Sequence, residues 1–343
     1  MKPKFLLSKS KVLEQYNKVK EYADIVSYSS KTNQEVIKIL EKETDSMFSV
    51  HFFNELKHVK DKSKIIFLAQ AWKKEDIKEL TDLNIKTFIV DNEQDLNILL
   101  DFLKENKIQI DLLLRAKYKE NTIRTEKHFV FGMDSIKINK YLKELKNNNQ
   151  INNLGIHFHR KTQNLSEWNL KYELQHFVEE ENWKNIDFVN IGGGIPAVYA
   201  NTNEDVIQTI FNKIKELKQF LNEKNIKLII EPGRFISAPS IKLQTEIVAI
   251  YENNIIVNAS IYNSDMDALI VPVKLLVEGE LEKGQGKPFV IKGITPCSLD
   301  LFRYRVYLEN PKVGDILTFL NAGAYNFTTN FCDLEKIETE SIS

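Results

Sequence analysis

Eight short apolar runs alternate with polar, helix-length segments between Asp24 and Pro232, and this alternation constrains the fold more than any other feature of the chain. The runs read DIVSYSSK, MFSVHF, KIIFLAQ, KTFIVDN, DLLLRA, LGIHFHR, FVNIGGG and KLIIEPGR. Eight such units predict a (β/α)8 barrel of the TIM type, in which functional residues lie at the C-terminal ends of the strands. Lys31, His159, Gly192 to Gly194 and Glu231 all follow such runs, so we expect them to share one rim.

The pattern changes after Ser240. From Lys242 onward the chain reads as strands separated by turn signals, namely KLQTEIVAIY, NIIVNASIY, ALIVPVKLLV, PFVIKGI, YRVYL and DILTFLNAG. We therefore predict two domains, a barrel over residues 1–240 and a smaller all-β domain over residues 241–343. One long irregular insertion, Ala116 to Gly132, leaves the barrel after its fifth strand as a rim loop or a small subdomain.

Composition excludes several classes of function. A formal net charge of −1 over 343 residues gives no reason to expect nucleic acid or an anionic membrane surface as a partner. No stretch approaches the roughly 20 apolar residues of a membrane helix, and the N-terminus lacks the pattern of a signal peptide. Two cysteines, Cys297 and Cys332, indicate neither a disulfide framework nor a zinc cluster. We expect a cytoplasmic protein without a metal site.

Four motifs at the strand ends carry candidate chemistry. The glycines of GGGIP leave backbone N–H groups accessible to a phosphate, and EPGR places a carboxylate and a guanidinium at one rim. HFH puts two histidines on one face of a strand, and SYSSKTN places an amine at the mouth of the first strand. Each motif alone has an ordinary structural explanation, such as a tight turn, a rim ion pair, a core histidine or a surface lysine. Together they match the requirements of pyridoxal 5'-phosphate.

These motifs resemble those of the fold-type III pyridoxal-phosphate decarboxylases, which act on ornithine, lysine, arginine, diaminopimelate and carboxynorspermidine. SYSSKTN is similar to the family's YAVKAN segment, HFHRKTQ to HxHxGSQ, and GITPCSLD to its GPxC…D loop. The resemblance implies that Lys31 is the Schiff-base lysine and that His159 stacks on the cofactor ring. It further implies that Glu231 contacts the pyridine nitrogen and that the phosphate is bound by Thr162, Gly192, Gly193, Gly194, Arg234 and Tyr325.

The chain departs from the family pattern where the substrate would be held. Without gaps, the family's catalytic cysteine aligns with Pro296, and Cys297 takes the next, commonly acidic position; a shift of one residue restores Cys297 as the catalytic thiol. Ala259 stands where ornithine enzymes have an aspartate, so simple ornithine recognition is in doubt. The remaining candidates for a substrate amine are Asp265, Asp267 and Asp300. The candidates for a substrate carboxylate or carrier phosphate, which could equally be exposed rim charges, are Arg160, Lys161, Arg303 and Arg305.

The sequence thus predicts a pyridoxal-phosphate-dependent α-decarboxylase of an amino acid, of the polyamine or diaminopimelate type. Lys31, His159 and Cys297 are its predicted catalytic residues. An amino-acid racemase on the same barrel and a non-catalytic cofactor-binding regulator are the alternatives. The resemblance also implies a homodimer in which the loop bearing Cys297 and Asp300 reaches the partner's active site.

Overall fold

A computed structural model describes residues 1–118 and 131–342, which fold as two compact units. One comprises Asn17–Ile195 and Asp205–Gly233, and the other comprises Met1–Tyr16, Pro196–Glu204 and Arg234–Ser343. We call them the barrel unit and the β unit. Within the described ranges, no helix is both long and apolar enough to cross a membrane.

The barrel unit contains the predicted closed barrel of eight parallel strands, which pair in sequence order. Buried aliphatic side chains from neighbouring strands, among them Ile66, Ile89, Leu113 and Ile229, form a common cluster. The strands are β2 (Ile25–Ser29), β3 (Met47–Val50), β4 (Ile65–Ala69), β5 (Thr87–Val90), β6 (Ile110–Arg115), β7 (Ile151–His157), β8 (Phe188–Asn190) and β9 (Lys227–Ile230). The parallel register places the C-terminal ends of all eight strands at one rim.

Helices connect these strands, as the polar segments predict. They are α2 (Gln34–Glu43), α3 (Lys74–Asp82), α4 (Glu93–Asn106), α5 (Ser135–Leu145), α6 (Leu170–Phe177) and α7 (Asp205–Asn222). A further helix, α1 (Lys9–Lys20), precedes the first barrel strand. Side chains of Asn33, Asn92 and Asp134 cap three of them by accepting backbone N–H bonds. The expected insertion at residues 116–132 lies, except for its ends, outside the described residues.

Two of the polar segments do not form a single α-helix. The segment after β3 forms only short 3₁₀ helices, Phe53–His58 and Lys62–Lys64, and the segment between β7 and β8 is divided into α6 and a 3₁₀ helix, Glu180–Asn185. The division has a physical cause, because the Phe177 carbonyl accepts hydrogen bonds from Ser135 Oγ (2.5 Å) and Asn139 Nδ2 (2.8 Å) of α5. That carbonyl is therefore not available to continue the helix.

The β unit is built on one eight-stranded sheet, in the order β12-β15-β10-β11-β13-β14, with β1 pairing with both β10 and β16. Its strands are β1 (Lys4–Ser8), β10 (Ile241–Tyr251), β11 (Asn254–Val257), β12 (Leu276–Val277), β13 (Lys287–Lys292), β14 (Leu301–Leu308), β15 (Ile316–Leu320) and β16 (Glu338–Ile342). Its helices are α8 (Arg234–Ser240), α9 (Ile261–Ser264) and α10 (Asp267–Ile270). Helices α9 and α10 replace parts of two predicted strands, because these short apolar runs have no alternation to separate strand from buried helix.

The compact units also divide the chain differently from the predicted boundary at Ser240. Residues 1–16 and 234–240 belong to the β unit. The N-terminal strand is the reason for the first difference, since β1 pairs antiparallel with β10, with Phe5 opposite Leu243. Helix α8 leads directly into β10, and its Ala238 carbonyl accepts a hydrogen bond from Gly323.

Candidate active site

Lys31 lies just beyond β2, in a 3₁₀ turn over Ser30–Thr32. Its two neighbours are buried while Lys31 is exposed, so the turn presents the amine at the rim. Ser30 Oγ donates a hydrogen bond to the carbonyl of Ser49 (2.9 Å) and also bonds Glu55. The turn is therefore held to β3 on one side. On the other side, Ser29 donates its N–H to the Pro232 carbonyl (3.1 Å), which joins the lysine motif to the EPGR motif.

Glu231 follows β9 and is almost fully buried. Asn190 Nδ2 donates to its Oε1 (2.8 Å), and His157 Nε2 lies 3.7 Å from its Oε2. Burial opposes ionisation of this carboxyl, but His157, His51 and the Asn190 amide outweigh that effect and hold the pKa of Glu231 below its usual range. The site thus contains a fixed, ionised carboxylate.

His159 and the glycine loop are joined directly. Gly193 donates its N–H to His159 Nδ1 (3.1 Å), so a neutral ring carries its proton on Nε2. Burial, and then the positive charge of Lys31, lower the pKa of His159 well below its usual value and keep the ring neutral. Thr162 lies in the half-buried segment after His159, and that segment is held to the glycine loop by the Asn164 N–H, which donates to the Gly194 carbonyl (3.0 Å).

The glycine loop requires the absence of side chains. Gly192 and Gly194 have φ of +65° and +94°, and a Cβ at Gly192 would lie 2.6 Å from the Phe158 carbonyl oxygen. A Cβ at Gly193 would lie 2.7 Å from the Glu231 carbonyl oxygen. Pyridoxal 5'-phosphate requires an amine, a phosphate site and a carboxylate at its pyridine nitrogen. Lys31, the glycine loop and the ionised Glu231 lie on the same unit and fit these three requirements in that order.

Arg234, expected to bind phosphate, is buried in an ion pair within the β unit. Its Nη2 donates to Asp267 Oδ1 (3.0 Å), its Nη1 bonds Asp267 Oδ2, and Nη1 also donates to the Tyr199 hydroxyl (2.8 Å). The Tyr325 ring centroid lies 5.3 Å from the guanidinium carbon. Asp267 is 1% exposed. Its carboxylate is therefore bound by Arg234, and its role as a partner of a substrate amine stays a prediction.

The other two aspartates are not free amine ligands either. Asp300 is fully buried, and its carboxylate accepts hydrogen bonds from Ile261 N, Thr295 N and Thr295 Oγ1, at 3.0, 3.0 and 2.6 Å. It organises the loop that precedes it. Asp265 is also buried, and this burial, followed by the nearby charge of Asp267, raises its pKa well above the usual value. Burial thus disfavours the charged form of this carboxyl.

Cys297 is half-buried in the loop over residues 293–300. Its Sγ lies 3.2 Å from the Tyr262 hydroxyl, and this hydrogen bond is the first cause of a lowered Cys297 pKa. The Tyr262 ring stacks on Phe331 with centroids 4.0 Å apart. A lowered pKa increases the fraction of thiolate, the form of cysteine that reacts as a nucleophile.

The basic residues proposed to hold a substrate carboxylate have partners within the chain. Arg160 is 2% exposed, pairs with Glu173 and lies against the Tyr118 and Phe158 rings. Arg160 is therefore not an exposed rim charge, and its role towards a substrate stays a prediction. The other partners are Glu167 for Lys161 (3.5 Å) and Glu280 for Arg303 (2.7 Å), whereas Arg305 is exposed.

Sequence reasoning missed three features of these sites. His51 follows β3. Burial and the charge of Lys31 lower its pKa, whereas the charge of Glu231 raises it. Arg115 ends β6 and pairs with Asp91 at the end of β5 (3.0 Å). Tyr199 contacts Arg234, as described above. His51 and Arg115 end apolar runs and could have been found by their position, whereas Tyr199 has no local signal.

Comparison with known proteins identifies what the chain is similar to. The family model described as "Pyridoxal-dependent decarboxylase, pyridoxal binding domain" matches residues 9–238. Ornithine decarboxylase of Caenorhabditis elegans is 25% identical over 289 residues, which are 76% of this chain and 66%, slightly under two thirds, of the worm enzyme. Diaminopimelate decarboxylase of Methanocaldococcus jannaschii is 22% identical over 371 residues, covering 95% of this chain and 82% of that protein.

A solved structure confirms the fold. Lysine/ornithine decarboxylase from Vibrio vulnificus, complexed with cadaverine, superposes with a TM-score of 0.81 at 21% identity. The alignment covers 99% of this chain and 94% of that one. The predicted combination of a barrel and a β domain is thereby confirmed.

Proposed function

Because the chain belongs to the family of pyridoxal-dependent decarboxylases, we propose that it removes the α-carboxylate of an amino acid. The observation that carries this proposal is the pairing of an exposed amine, Lys31, with a buried, ionised Glu231 at the ends of the adjacent strands β2 and β9. When bound, pyridoxal 5'-phosphate supplies the electron sink for the bond that breaks. Lys31 supplies the amine that binds the cofactor, and Glu231 holds a proton at the pyridine nitrogen.

The remaining residues of the site orient and shield these groups. Asn190 fixes the Glu231 carboxylate and also accepts the Gly192 N–H at 2.8 Å, so one side chain aligns the carboxylate with the glycine loop. His159, kept neutral, is suited to pack on a ring. Cys297, with its lowered pKa, is the candidate proton donor after carbon dioxide leaves.

The proposed substrate is a polyamine precursor or diaminopimelate-type amino acid rather than simple ornithine. The similar proteins are named for ornithine, diaminopimelate and lysine/ornithine. Ala259 is fully buried. Of the three candidate aspartates, Asp267 bonds Arg234, Asp300 accepts hydrogen bonds from its own loop, and burial disfavours the charged form of Asp265. None of these offers a free charge partner to a distal ammonium, which is costly to bury unpaired.

The test is a screen for carbon dioxide release against ornithine, lysine, arginine, diaminopimelate, carboxyspermidines, glutamate and tyrosine. Release from one substrate by the wild type, and not by Lys31→Ala, supports the proposal. Inversion at Cα without release would identify a racemase instead. Cofactor binding without turnover of any member would favour the regulator.

We also propose a cytoplasmic homodimer with shared active sites. Ile294 and Leu299 flank Cys297 and are 46% and 60% exposed, so the loop carries apolar side chains that a second copy can cover. Mixing inactive Lys31→Ala protein with inactive Cys297→Ala protein should restore about a quarter of wild-type activity, since half the dimers are mixed and half their sites are intact. Subunit exchange without recovery would show that each site is built from one chain.

A further inference from the structure

The short helix α9 holds the loop that carries Cys297. The helix begins at Ile261, whose N–H donates to Asp300 Oδ1 (3.0 Å) at the end of that loop. Within the loop, Thr295 donates its N–H and its hydroxyl to Asp300 Oδ2. Cys297 Sγ lies 3.2 Å from the hydroxyl of Tyr262, the second residue of α9. The position of this thiol is therefore fixed by the helix and by the aspartate.

The segment that carries Cys332 is bound to the same helix. Before Cys332, the Thr329 N–H donates to the Tyr262 carbonyl (2.9 Å). After Cys332, the Glu335 carbonyl accepts a hydrogen bond from Asn263 Nδ2 (3.0 Å). Since the chain has two cysteines, both of them lie in segments that α9 holds.

Tyr262 contacts both segments through different parts of its side chain. Its hydroxyl bonds Cys297, and its ring stacks on Phe331, the residue before Cys332, with centroids 4.0 Å apart and planes inclined by 24°. The hydrogen bond with Cys297, and then burial, raise the pKa of Tyr262 to about 12, and the charges of Cys297, Asp300 and Cys332 add to the increase. Both sulfur atoms are therefore close enough to act electrostatically on the same hydroxyl.

The two cysteines differ in the way that a redox pair requires. The hydrogen bond from Tyr262 lowers the pKa of Cys297 and so increases its thiolate fraction. Cys332 is exposed and lies in a turn where Cys332 and Asp333 have φ of +52° and +53°, a conformation that is costly for residues other than glycine. Relief of this strain favours movement of the turn, and a bond between the two sulfur atoms requires close approach. An accessible cysteine of low pKa beside a second thiol is typical of redox sensors.

We propose that Cys297 and Cys332 form an intrachain disulfide when the protein meets hydrogen peroxide. The Cys297 thiolate attacks one peroxide oxygen, the O–O bond breaks, and hydroxide leaves while the sulfur becomes a sulfenic acid. The Cys332 thiol then attacks that sulfur, and the sulfenic oxygen leaves as water. Two thiols are thereby oxidised to one disulfide, and one peroxide is reduced to two waters.

The disulfide would remove the thiol that is the candidate proton donor of the proposed reaction. The oxidised protein should therefore lose its activity, and dithiothreitol should restore it. Only this consequence rests on the proposed function, because formation of the bond requires neither cofactor nor substrate.

The test treats the reduced, full-length protein with equimolar hydrogen peroxide, followed by intact mass measurement and peptide mapping without reductant. We expect the mass to fall by two hydrogen atoms, a linked pair of peptides that contain Cys297 and Cys332, and full reversal by dithiothreitol. In Cys332→Ser the mass should rise instead by whole oxygen atoms on Cys297, because no second thiol displaces the sulfenic oxygen. Cys297→Ser is the matched control, in which Cys332 should keep its thiol through the same treatment.

The inference is overturned if Cys297 gains oxygen in the wild type as it does in Cys332→Ser, or if the disulfide joins two chains on a non-reducing gel. Oxidation of Cys332 to the same extent in Cys297→Ser would also overturn it. None of these results affects the proposed function, which is measured as carbon dioxide release by the reduced protein. Conversely, an intrachain disulfide in a protein that releases no carbon dioxide would contradict the proposed function alone.

Discussion

Gly233 packs directly against Thr32, so that a Cβ at position 233 would overlap Thr32 Oγ1. The contact joins the EPGR motif to the turn that carries Lys31. Gly233 does not have a positive φ, so the need for glycine here comes from space and not from backbone conformation.

Replacing Gly233 with Ala should destabilise the protein by about 1–3 kcal/mol, as overpacking of a close contact does. Chemical denaturation gives the free energy of unfolding. In a Thr32→Ala background the cost should be smaller, because Thr32 Oγ1 is then absent and its hydroxyl has no partner to lose among the described residues. Equal costs in the two backgrounds would show that Thr32 is not the residue that excludes the side chain.

Lys31 should be the lysine that binds the cofactor. Borohydride reduction of the purified, cofactor-loaded protein, followed by peptide mapping, should place the pyridoxyl group on Lys31. Lys31→Ala should retain only non-covalent cofactor and little turnover, since the amine is lost while the glycine loop and Glu231 remain. A label on another lysine contradicts the assignment.

The protein should lose stability as the pH falls from about 6.5 towards 4. Burial lowers the pKa of His51 to about 3, and burial also lowers the pKa of His157 and His159. As the pH falls, these three histidines bind protons more readily in the unfolded chain than in the folded chain, and this difference favours unfolding. The lowered pKa of Glu231 adds to this effect below its unfolded value of about 4.3, because its stabilising charge is lost on protonation.

Urea unfolding at a series of pH values measures this loss. His51→Asn should reduce the slope by about 1.4 kcal/mol per pH unit between about pH 5.5 and 4, since one fewer group differs between the two states. The exposed His176 provides a matched control, and His176→Asn should leave the slope as in the wild type. An unchanged slope in His51→Asn would show that this ring titrates alike in both states.

Alkylation of Cys297 should depend on Tyr262. The hydrogen bond from the Tyr262 hydroxyl lowers the pKa of Cys297, so Tyr262→Phe should slow its reaction with iodoacetamide at neutral pH while keeping the ring stacked on Phe331. The exposed Cys332 is an internal reference within each sample. If the ratio of the two rates is the same in both proteins, the hydroxyl does not activate the thiol.

The barrel was predictable because its evidence is local. Each strand of the barrel is a short apolar run, and a parallel barrel buries its strands on both faces, so the runs stand out from the polar helices between them. The strand β16 gives no such signal, because all five residues of Glu338–Ile342 are exposed and its partner β1 lies more than 300 positions away. Hydrophobic patterning cannot identify an exposed strand whose partner is so distant.

For the site, the sequence predicts which residues lie near the rim of the barrel, but not which partners they have there. Lys31, Glu231 and the glycines lie in motifs whose spacing fixes their place at strand ends. The partner of a charge is set by tertiary structure instead. Nothing in the spacing of Arg234 and Asp267 shows that they pair, and nothing near Asp300 shows that Thr295 and Ile261 consume its hydrogen-bonding capacity.

The pairing of β1 with β10 and β16 has a consequence for the order in which the chain can fold during synthesis. Phe5 is opposite Leu243 on one side and Thr339 on the other. Strand β1 therefore has no partner in the sheet until residues 241–244 have been synthesised, and its other edge stays unpaired until residues 338–342 follow. Most barrel strands pair with the strand that follows them in sequence, so their partners are synthesised soon after them. During translation β1 is thus an unpaired strand that a chaperone or a premature contact can capture, and its sheet is completed only after all the barrel strands have been synthesised.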